Sequence, residues 1–409
     1  MMSFNSLPLP LQERIIFLVP AADRHWLAPV CKYWEEVTRS LQTRLVLDFS
    51  HEPCSQVQHR AASRAAQREC RLSRAALLRG VLRRQEQLTE VTAVNLAHCF
   101  PHLQLVEQVS ALLRGQISTL HVGMAAHRPQ GHTPHTHHSL ELLLQCRFVA
   151  HHSELRSLVL TNLSSCPPLG QLTALEQLAL RGCGSQATPL DQLDISDLTK
   201  LRHIGFYDCV VSRHLLDMLP LLPELRELDY CRSSCVQGPS TGWLQGLNRL
   251  TRLNFSGRAM SGGEPSVDHV MEALLPLTQL QELSLQASGL RKVPAQVAAL
   301  PHLHTLSLAF NDVADLIPGP YLSLQLRSLD VYCTDITKLP TSLLPQLTRL
   351  CIGPVAHHSS DVEDIQSWVR SLARLKQLQQ LETTAQHGSA VMQQLREGLP
   401  GVEVKRYRE

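Results

Sequence analysis

The sequence predicts a repeat protein in which one short leucine-bearing unit is used about a dozen times in tandem. Three observations lead to this fold class. The chain of 409 residues contains 74 leucines, whereas aromatic residues make up only 4% of it. A hexamer with the pattern LxxLxL recurs through residues 91–385. From residue 155 onward, the first positions of successive copies lie 20 to 31 residues apart, mostly 21 to 26, which suits a stacked supersecondary unit.

The repeat is clearest at Leu155-Arg-Ser-Leu158-Val-Leu160. Copies with the same spacing begin at Leu175, Leu201, Leu225, Leu250, Leu280, Leu303, Leu326 and Leu347, with a degraded copy at Leu378 and two earlier copies, Val91-Val94-Leu96 and Ile117-Leu120-Val122. A single hexamer of this kind arises easily by chance. Ten in tandem from residue 155 hold a period that chance patterning would not hold.

This pattern resembles the leucine-rich-repeat family, whose unit of 20–29 residues reads LxxLxLxxN/CxL. The resemblance implies an α/β solenoid with a curved parallel sheet on its concave side and helices or irregular segments on its convex side. It also implies that the ninth residue of each unit hydrogen-bonds the backbone of the turn. Cys99, Cys183, Cys209 and Asn311 match that position, and Ser233, Ser288 and Thr334 are smaller polar substitutes.

The free energy of burying leucine side chains favours stacking of the repeats. A six-residue strand buries its leucines only when a neighbour covers it, and each buried leucine contributes about 1.5–3 kcal/mol. The two ends of such a stack need caps. We therefore assign residues 91–405 to the repeats with a C-terminal cap, in which a helix at 361–375 and a second helix followed by Val402-Glu-Val404 close the end. Residues 46–90 are predicted to form a helical linker and N-terminal cap.

Residues 5–45 are predicted to form a separate helical unit. The spacing of its residues carries this prediction. Counted from Leu7, an aspartate lies 16 residues farther along the chain, a Val-Cys pair lies 23 and 24 residues farther, and a tryptophan lies 27 residues farther. This segment resembles an F-box, a small all-α bundle that docks on the Skp-type adaptor of a cullin–RING ubiquitin ligase. The resemblance implies these adaptor-binding or bundle residues: Leu7, Pro8, Leu11, Ile15, Ile16, Val30, Cys31 and Trp34. The alternative is a helical pair that caps the repeats and binds no adaptor.

The residues between the leucines are the candidates for binding. Side chains alternate along a strand, so the third and fifth positions of each hexamer are expected to face solvent on the concave side. Both signs of charge occur there, which suits a protein or peptide ligand better than DNA. Tyrosine and arginine are enriched in binding hot spots. The predicted contacts are Arg181, His203, Tyr207, Asp229, Arg252, Asp330, Tyr332 and Arg349. The alternative for each is a solvated strand residue.

Catalysis, cofactors and metals are not predicted. No HExxH, GxSxG or nucleotide fingerprint occurs, and Ser261-Gly-Gly-Glu-Pro265 lacks the lysine of a phosphate loop. The histidines between 132 and 138 are predicted to lie in a mobile loop rather than a zinc site. The balance of 38 basic and 36 acidic residues gives no drive toward nucleic acid or anionic lipid. No apolar run is long enough for a membrane span, and the N-terminus does not read as a signal peptide.

Together these patterns predict a non-catalytic substrate receptor of an SCF-type cullin–RING E3 ubiquitin ligase. The F-box would bind the Skp-type adaptor, and through it the cullin and RING subunits, and the repeats would bind a protein substrate. Such a protein would be cytoplasmic, nuclear or both. The alternative function is a leucine-rich-repeat interaction scaffold outside ubiquitination, and a cryptic enzyme is the third and least favoured hypothesis.

Overall fold

A computed structural model describes residues 44–48, 90–94, 111, 117–123 and most of 152–406. Within the last range the gaps are 164–165, 167, 185–189, 191–192, 236–241, 258–271, 315, 317–324, 337–338, 342–343, 354–361 and 384–389. The F-box-like segment Leu7–Trp34 and the histidines of 132–138 therefore lie outside the described residues. The chain divides into two compact units, Met1–Leu175 and Glu176–Glu409. We call them unit 1 and unit 2 and describe each by itself.

Four described strands of unit 1 pair in parallel. They are β1 (Arg44–Asp48), β2 (Glu90–Val94), β3 (Thr119–Gly123) and β4 (Ser157–Thr161). Leu45 pairs with Val91, Val91 with Leu120, and Leu120 with Leu158. Leu120 and Leu158 are fully buried, as the fourth position of a leucine-rich repeat requires. The strand β1 crosses the predicted boundary between the helical unit 5–45 and the helical linker 46–90, so the parallel ladder begins earlier in the chain than the hexamers indicated.

The first predicted copy of the repeat was placed in the wrong register. Val91 pairs with Leu120, so it holds the fourth position of its unit and not the first. The copy is therefore Leu88-Val91-Ala93 instead of Val91-Val94-Leu96, and Cys99 loses the ninth position. The error has a simple source: a valine-rich stretch offers two hexamer frames three residues apart, and only the pairing of neighbouring strands distinguishes them.

Unit 2 contains ten described strands that follow one another in parallel along a single ladder. They are β5 (Gln177–Arg181), β6 (His203–Tyr207), β8 (Glu227–Cys231), β10 (Arg252–Asn254), β11 (Glu282–Ser284), β12 (Thr305–Ser307), β13 (Ser328–Val331), β14 (Arg349–Ile352), β15 (Gln380–Thr383) and β16 (Glu403–Arg406). Two short strands, β7 (Val210–Val211) and β9 (Ser234–Cys235), form a second parallel pair. In register, Leu178 pairs with Ile204 and Ile204 with Leu228, and the same repeat position continues along the ladder. The predicted leucine-rich-repeat architecture is confirmed for this part of the chain.

The core of unit 2 is the set of apolar residues at the first, fourth and sixth positions. In the first repeat that lies wholly within the unit these are Leu201, Ile204 and Phe206, and all three are fully buried. At the sixth position of three consecutive repeats an aromatic ring replaces leucine: Tyr230 stacks on Phe255 with centroids 5.2 Å apart and meets Phe206 edge-on at 6.2 Å. The rings therefore form one aromatic cluster within the leucine core.

Short helical segments connect the strands of unit 2. The helix α1 (Arg213–Met218) is capped by Ser212, whose side chain accepts a hydrogen bond from the backbone N–H of Leu215. Three-residue to five-residue 3-10 turns occupy Leu219–Leu221, Gly242–Gly246 and Ala295–Ala299. These segments direct most of their leucines inward, but Leu221 is 68% exposed. Leu275, in the connection between β10 and β11, is 46% exposed.

Wherever the structure describes the eighth position of a repeat, that residue is left-handed. In unit 2 these residues are Gly182, Asp208, Arg232, Gly257, Ala287, Phe310 and Cys333, with φ between 49° and 83°. The left-handed conformation turns the chain out of the strand and carries the ninth residue beneath the turn. Only two of the seven are glycine, so the sequence pattern gave no warning of this regularity.

The ninth residue hydrogen-bonds the turn backbone, as the repeat pattern predicted. Asn311 is 3% exposed, and its carbonyl oxygen accepts hydrogen bonds from the N–H groups of Ser288 and Leu290, each at 3.0 Å. Its amide nitrogen donates to the carbonyls of Leu285 and Leu308 at 2.7 and 2.8 Å. Shorter side chains make fewer bonds at the same position. The thiol of Cys209, for example, donates to the carbonyl of Leu180 at 3.3 Å.

The C-terminal segment contains two helices where the sequence predicted helices. The helices α2 (Val362–Leu372) and α3 (Ala390–Gly398) precede the last strand β16. Gly398 has no side chain where Val369 of α2 comes close, so the two helices meet tightly at that point. Met392 and Leu395 of α3 are fully buried. No helix among the described residues is both long enough and apolar enough to cross a membrane.

Candidate functional site

The candidate site is the surface formed by positions three, five and seven of the repeats in unit 2, which we call the strand face. All eight predicted contact residues lie on it, either within a strand or directly after one. Four of them form one group, the Asp229 cluster: Arg181, His203, Tyr207 and Asp229. Arg252 belongs to a separate charged row, and Asp330, Tyr332 and Arg349 lie farther along the ladder.

Asp229 is the centre of its cluster. One of its oxygens, Oδ2, lies 2.9 Å from Nε2 of His203 and accepts a hydrogen bond of 2.5 Å from the hydroxyl of Tyr207. The strand register explains the arrangement. Asp229 pairs with Gly205, and His203 and Tyr207 flank that glycine on β6, so both lie on diagonals within reach of the carboxylate.

The absence of a side chain at Gly205 makes room for the ring of Tyr207. A Cβ atom at Gly205 would lie 2.5 Å from Cε2 of Tyr207, which no real side chain tolerates. The missing side chain lets the ring lie across the strand instead of standing away from it, and this brings the hydroxyl to Asp229. The only advance signal was a glycine in the middle of a strand, which often marks a close approach.

The cluster holds a buried negative charge. The Asp229 side chain is 6% exposed. Burial alone would raise its pKa, but hydrogen bonds from His203 and Tyr207 and the charge of Arg252 outweigh burial and lower the pKa below its ordinary value. Asp229 is therefore ionised at neutral pH. Burial, followed by the bond to Asp229, raises the pKa of Tyr207, so the phenol stays protonated and remains a donor.

Arg181 lies on the outer side of the cluster. Its guanidinium carbon is 5.2 Å from the centroid of the Tyr207 ring, the geometry of a cation–π contact. The nearby acid Asp208 is bound instead by Arg232, at 2.8 Å. Within the part of the chain that the structure describes, Arg181 makes no ion pair. Its charge is exposed and its position is set by a ring.

A charged row occupies the third position of three consecutive strands. Arg252 of β10 lies between Glu227 of β8, at 3.5 Å, and Glu282 of β11, at 3.9 Å. The three side chains are between 42% and 48% exposed. Ion pairs this exposed contribute little to stability, about 0–1 kcal/mol each, and can exchange partners without a large cost. Glu227 and Glu282 were not among the predicted contacts.

Two predicted contacts are less accessible than the pattern implied. Tyr332 is 5% exposed, packs with Ala309 and Cys351, and meets Phe310 edge-on at 5.3 Å. Asp229 keeps only 4% of its surface. The expectation that these two side chains face solvent is therefore wrong: His203 and Tyr207 cover Asp229, and Tyr332 packs against Phe310. Arg349 is exposed as predicted, and Phe310, at 45% exposure, is a surface aromatic that the pattern missed.

Two thiols of the strand face, those of Cys231 and Cys351, are not poised for chemistry. Burial, together with the charge of Asp229, raises the pKa of Cys231 to about 11, and burial also raises the pKa of Cys351. A thiol that remains protonated at neutral pH is a poor nucleophile. Among the described residues, no group of three or more His, Cys, Asp or Glu side chains could hold a metal ion.

The known proteins that this chain resembles are only distantly similar to it in sequence. No family model matches the chain. Mouse opticin is 30% identical over 169 residues, which cover 37% of this chain and 49% of opticin, so the chain spans about half the length of this curated relative.

Three solved structures are similar at low identity. The internalin InlF of Listeria monocytogenes has a TM-score of 0.44 at 16% identity, covering 81% of this chain and 83% of its own. The structure of the Drosophila Toll–Spatzle complex gives a TM-score of 0.47 at 15% identity, covering 78% and 40%. The mouse RP105/MD-1 complex gives 0.46 at 16%, covering 77% and 54%. The assignment of the fold depends on the register and ninth-position bonds described above.

Proposed function

We propose that the chain is a leucine-rich-repeat interaction module that binds a protein partner through the strand face of unit 2. The observation that carries this proposal is the Asp229 cluster. A charged carboxylate, a histidine, a tyrosine and an arginine are fixed in one arrangement on the surface of a sheet whose own stability comes from leucines beneath it. Side chains ordered before binding lose less entropy when a partner arrives.

The chemistry of the strand face supports a protein ligand. Both signs of charge alternate within the row formed by Glu227, Arg252 and Glu282, which fits neither the uniform positive groove of a nucleic-acid binder nor a lipid surface. The protonated thiols and the hydrogen-bonded Tyr207 offer no activated nucleophile. We therefore propose that the chain acts by binding and does not catalyse a reaction itself.

Site-specific photocrosslinking in cells tests the binding surface. A photoreactive phenylalanine analogue is placed at Gln177 or Ser328 on the strand face, and at Leu221 or Leu275 on the connecting segments as matched exposed controls. We expect adducts of discrete mass from the two strand-face positions only. Equal labelling from the connecting segments, or no adduct from the strand face, would remove the proposal.

The second candidate function is a substrate receptor of an SCF-type ubiquitin ligase. The observation that favours it is the spacing of Leu7-Pro8, Asp23, Val30-Cys31 and Trp34, which resembles an F-box. In this proposal the adaptor joins residues 5–45 to a cullin–RING complex, and the strand face holds the substrate near the ubiquitin carrier, so that the gain is one of proximity. Such a protein would work in the cytoplasm, the nucleus or both.

Co-purification with the adaptor separates the two functions. The intact chain, Leu7→Asp and the control Gln12→Ala are each purified from cells under native conditions, and the Skp-type adaptor is measured by quantitative mass spectrometry. The ligase proposal expects the adaptor with the intact chain and the control, and its loss with Leu7→Asp. If the adaptor is missing from the intact chain, the interaction module stands without a role in ubiquitination.

A further inference from the structure

We infer that Arg181 is the anchor of the strand face and that it takes a carboxylate from an acidic segment of the protein partner. The inference rests on the proposed function, because it names the chemistry of the partner at the same surface. It starts from one observation: Arg181 is exposed, lies 5.2 Å from the centroid of the Tyr207 ring, and makes no ion pair with any described residue.

The hydrogen-bond donors of Arg181 are available to a partner. The guanidinium group carries five N–H donors in its plane, its carbon lies over the ring of Tyr207, and no described residue accepts a hydrogen bond from it. The edges therefore remain available to two oxygens at once. A carboxylate matches this planar fork with two parallel hydrogen bonds, which a lysine at the same place could not provide.

The support beneath Arg181 extends over three residues. Tyr207 cannot swing freely, because its hydroxyl is bonded to Asp229, and Asp229 is in turn held by His203. The bond from the phenol to a carboxylate also increases electron density in the ring, which strengthens its attraction for the guanidinium. The buried negative charge thus acts through the tyrosine ring to hold the arginine in place.

Local charge favours an anionic partner group at Arg181. Two arginines of the next repeats are already paired: Arg232 binds Asp208 at 2.8 Å, and Arg252 lies between Glu227 and Glu282. The negative charge of Asp229 is buried and faces His203. Arg181 has no carboxylate partner among the described residues, so its positive charge is available to an anionic group of the partner.

Peptide selection on the full chain tests the inference. A displayed library of random peptides is selected against the intact chain, and the dissociation constants of the selected peptides are measured by calorimetry. We expect enrichment of peptides that contain Asp or Glu.

Arg181→Gln should weaken their binding about tenfold, the equivalent of one bidentate contact. Arg181→Lys should weaken it less, and Tyr207→Phe, which keeps the ring but releases it from Asp229, about threefold. Arg374→Gln, an exposed arginine of a connecting segment, is the matched control and should change nothing.

A double-mutant cycle assigns the contact. The acidic residue of the best peptide is changed to its amide, which should weaken binding to the intact chain but not to Arg181→Gln. Independent effects of the two changes, or selected peptides without an acidic residue, would overturn the inference while leaving the proposed function open to the crosslinking test. Tighter binding of a phosphoserine peptide than of its glutamate counterpart would also overturn the carboxylate assignment.

Discussion

Two stretches of unit 2 place the same residue types at the same repeat positions and use them differently. In the stretch β5–β8, Tyr207 lies one repeat before Asp229 and donates its hydroxyl to that carboxylate. In the stretch β11–β13, Tyr332 follows Asp330 within one repeat, and its backbone N–H bonds the carboxylate at 3.1 Å while its ring is 5% exposed. One tyrosine supports a surface cation, and the other is part of an apolar cluster.

Neighbouring repeats cause this difference. The ring of Tyr207 covers a glycine, whereas the ring of Tyr332 lies between Ala309 and Cys351 and against Phe310. The ninth position differs too: Cys209 donates weak thiol bonds, while Asn311 binds two N–H groups and several carbonyls. The position of a residue in its repeat fixes the direction of the side chain, and the residue one strand away decides whether it is exposed, buried or charged.

The largest difference between the stretches should appear at the ninth position. Asn311→Ala leaves the N–H groups of Ser288 and Leu290 and the carbonyl of Leu285 without their partner, and buried unsatisfied groups cost about 1–3 kcal/mol each. We expect a loss of about 3 kcal/mol in the free energy of unfolding. Cys209→Ala should cost only about 1 kcal/mol, because a thiol is a weak donor.

Urea denaturation measures both changes at the ninth position. Hydrogen exchange of the Ser288 and Leu290 amides localises the loss, since long repeat arrays need not unfold in one step. Equal losses for the two variants would mean that the hydrogen bonds of Asn311 contribute nothing beyond packing.

The two aspartates provide the next contrast. Asp229→Asn replaces charge-assisted bonds from His203 and Tyr207 in a site that is 6% exposed, and we expect it to cost about 1–2 kcal/mol. Asp330→Asn should cost about 0.5 kcal/mol or less, since Asp330 is half-buried and accepts from the hydroxyl of Ser307 and the N–H of Tyr332.

The cost of losing Asp229 should depend on pH, and the sign follows from linkage. The hydrogen bonds and the charge of Arg252 lower its pKa in the folded chain below the ordinary 3.8, so its stabilising effect is complete above that value. It fades as the pH falls through the lower folded pKa. Urea denaturation of the intact chain and Asp229→Asn at several pH values between neutrality and strong acid should show the gap closing only below about pH 4. A gap that widens in acid would contradict this account.

The sequence predicts the fold of the repeats but not the arrangement of side chains at the candidate site. Hexamer spacing placed the strands from residue 155 onward, because each repeat buries an apolar side chain at its fourth position, which is leucine in all of them except at Ile204. It failed at Val91, where two frames fit equally well. Arg181, His203, Tyr207 and Asp229 were selected singly by residue type and position. Their assembly into one cluster depends on a diagonal contact across two strands and on a glycine beneath a ring, which no pattern within one repeat contains.

The smallest contrast lies at the eighth position, where every described residue of unit 2 is left-handed. Ala287 has a φ of 49°, a conformation that costs an L-residue about 1–2 kcal/mol and glycine almost nothing. Glycine also loses about 0.5–1 kcal/mol through its greater freedom when unfolded, so Ala287→Gly should gain about 0.5 kcal/mol. Aspartate tolerates the left-handed region better than alanine does, and Asp208 has a φ of 54°. A glycine at this position would also lose the bond that Asp208 makes with Arg232. Asp208→Gly should therefore gain nothing. The urea midpoints of both variants and the intact chain, measured side by side, test this difference. If Asp208→Gly gained as much stability as Ala287→Gly, the type of side chain at the eighth position would have no effect on the backbone strain.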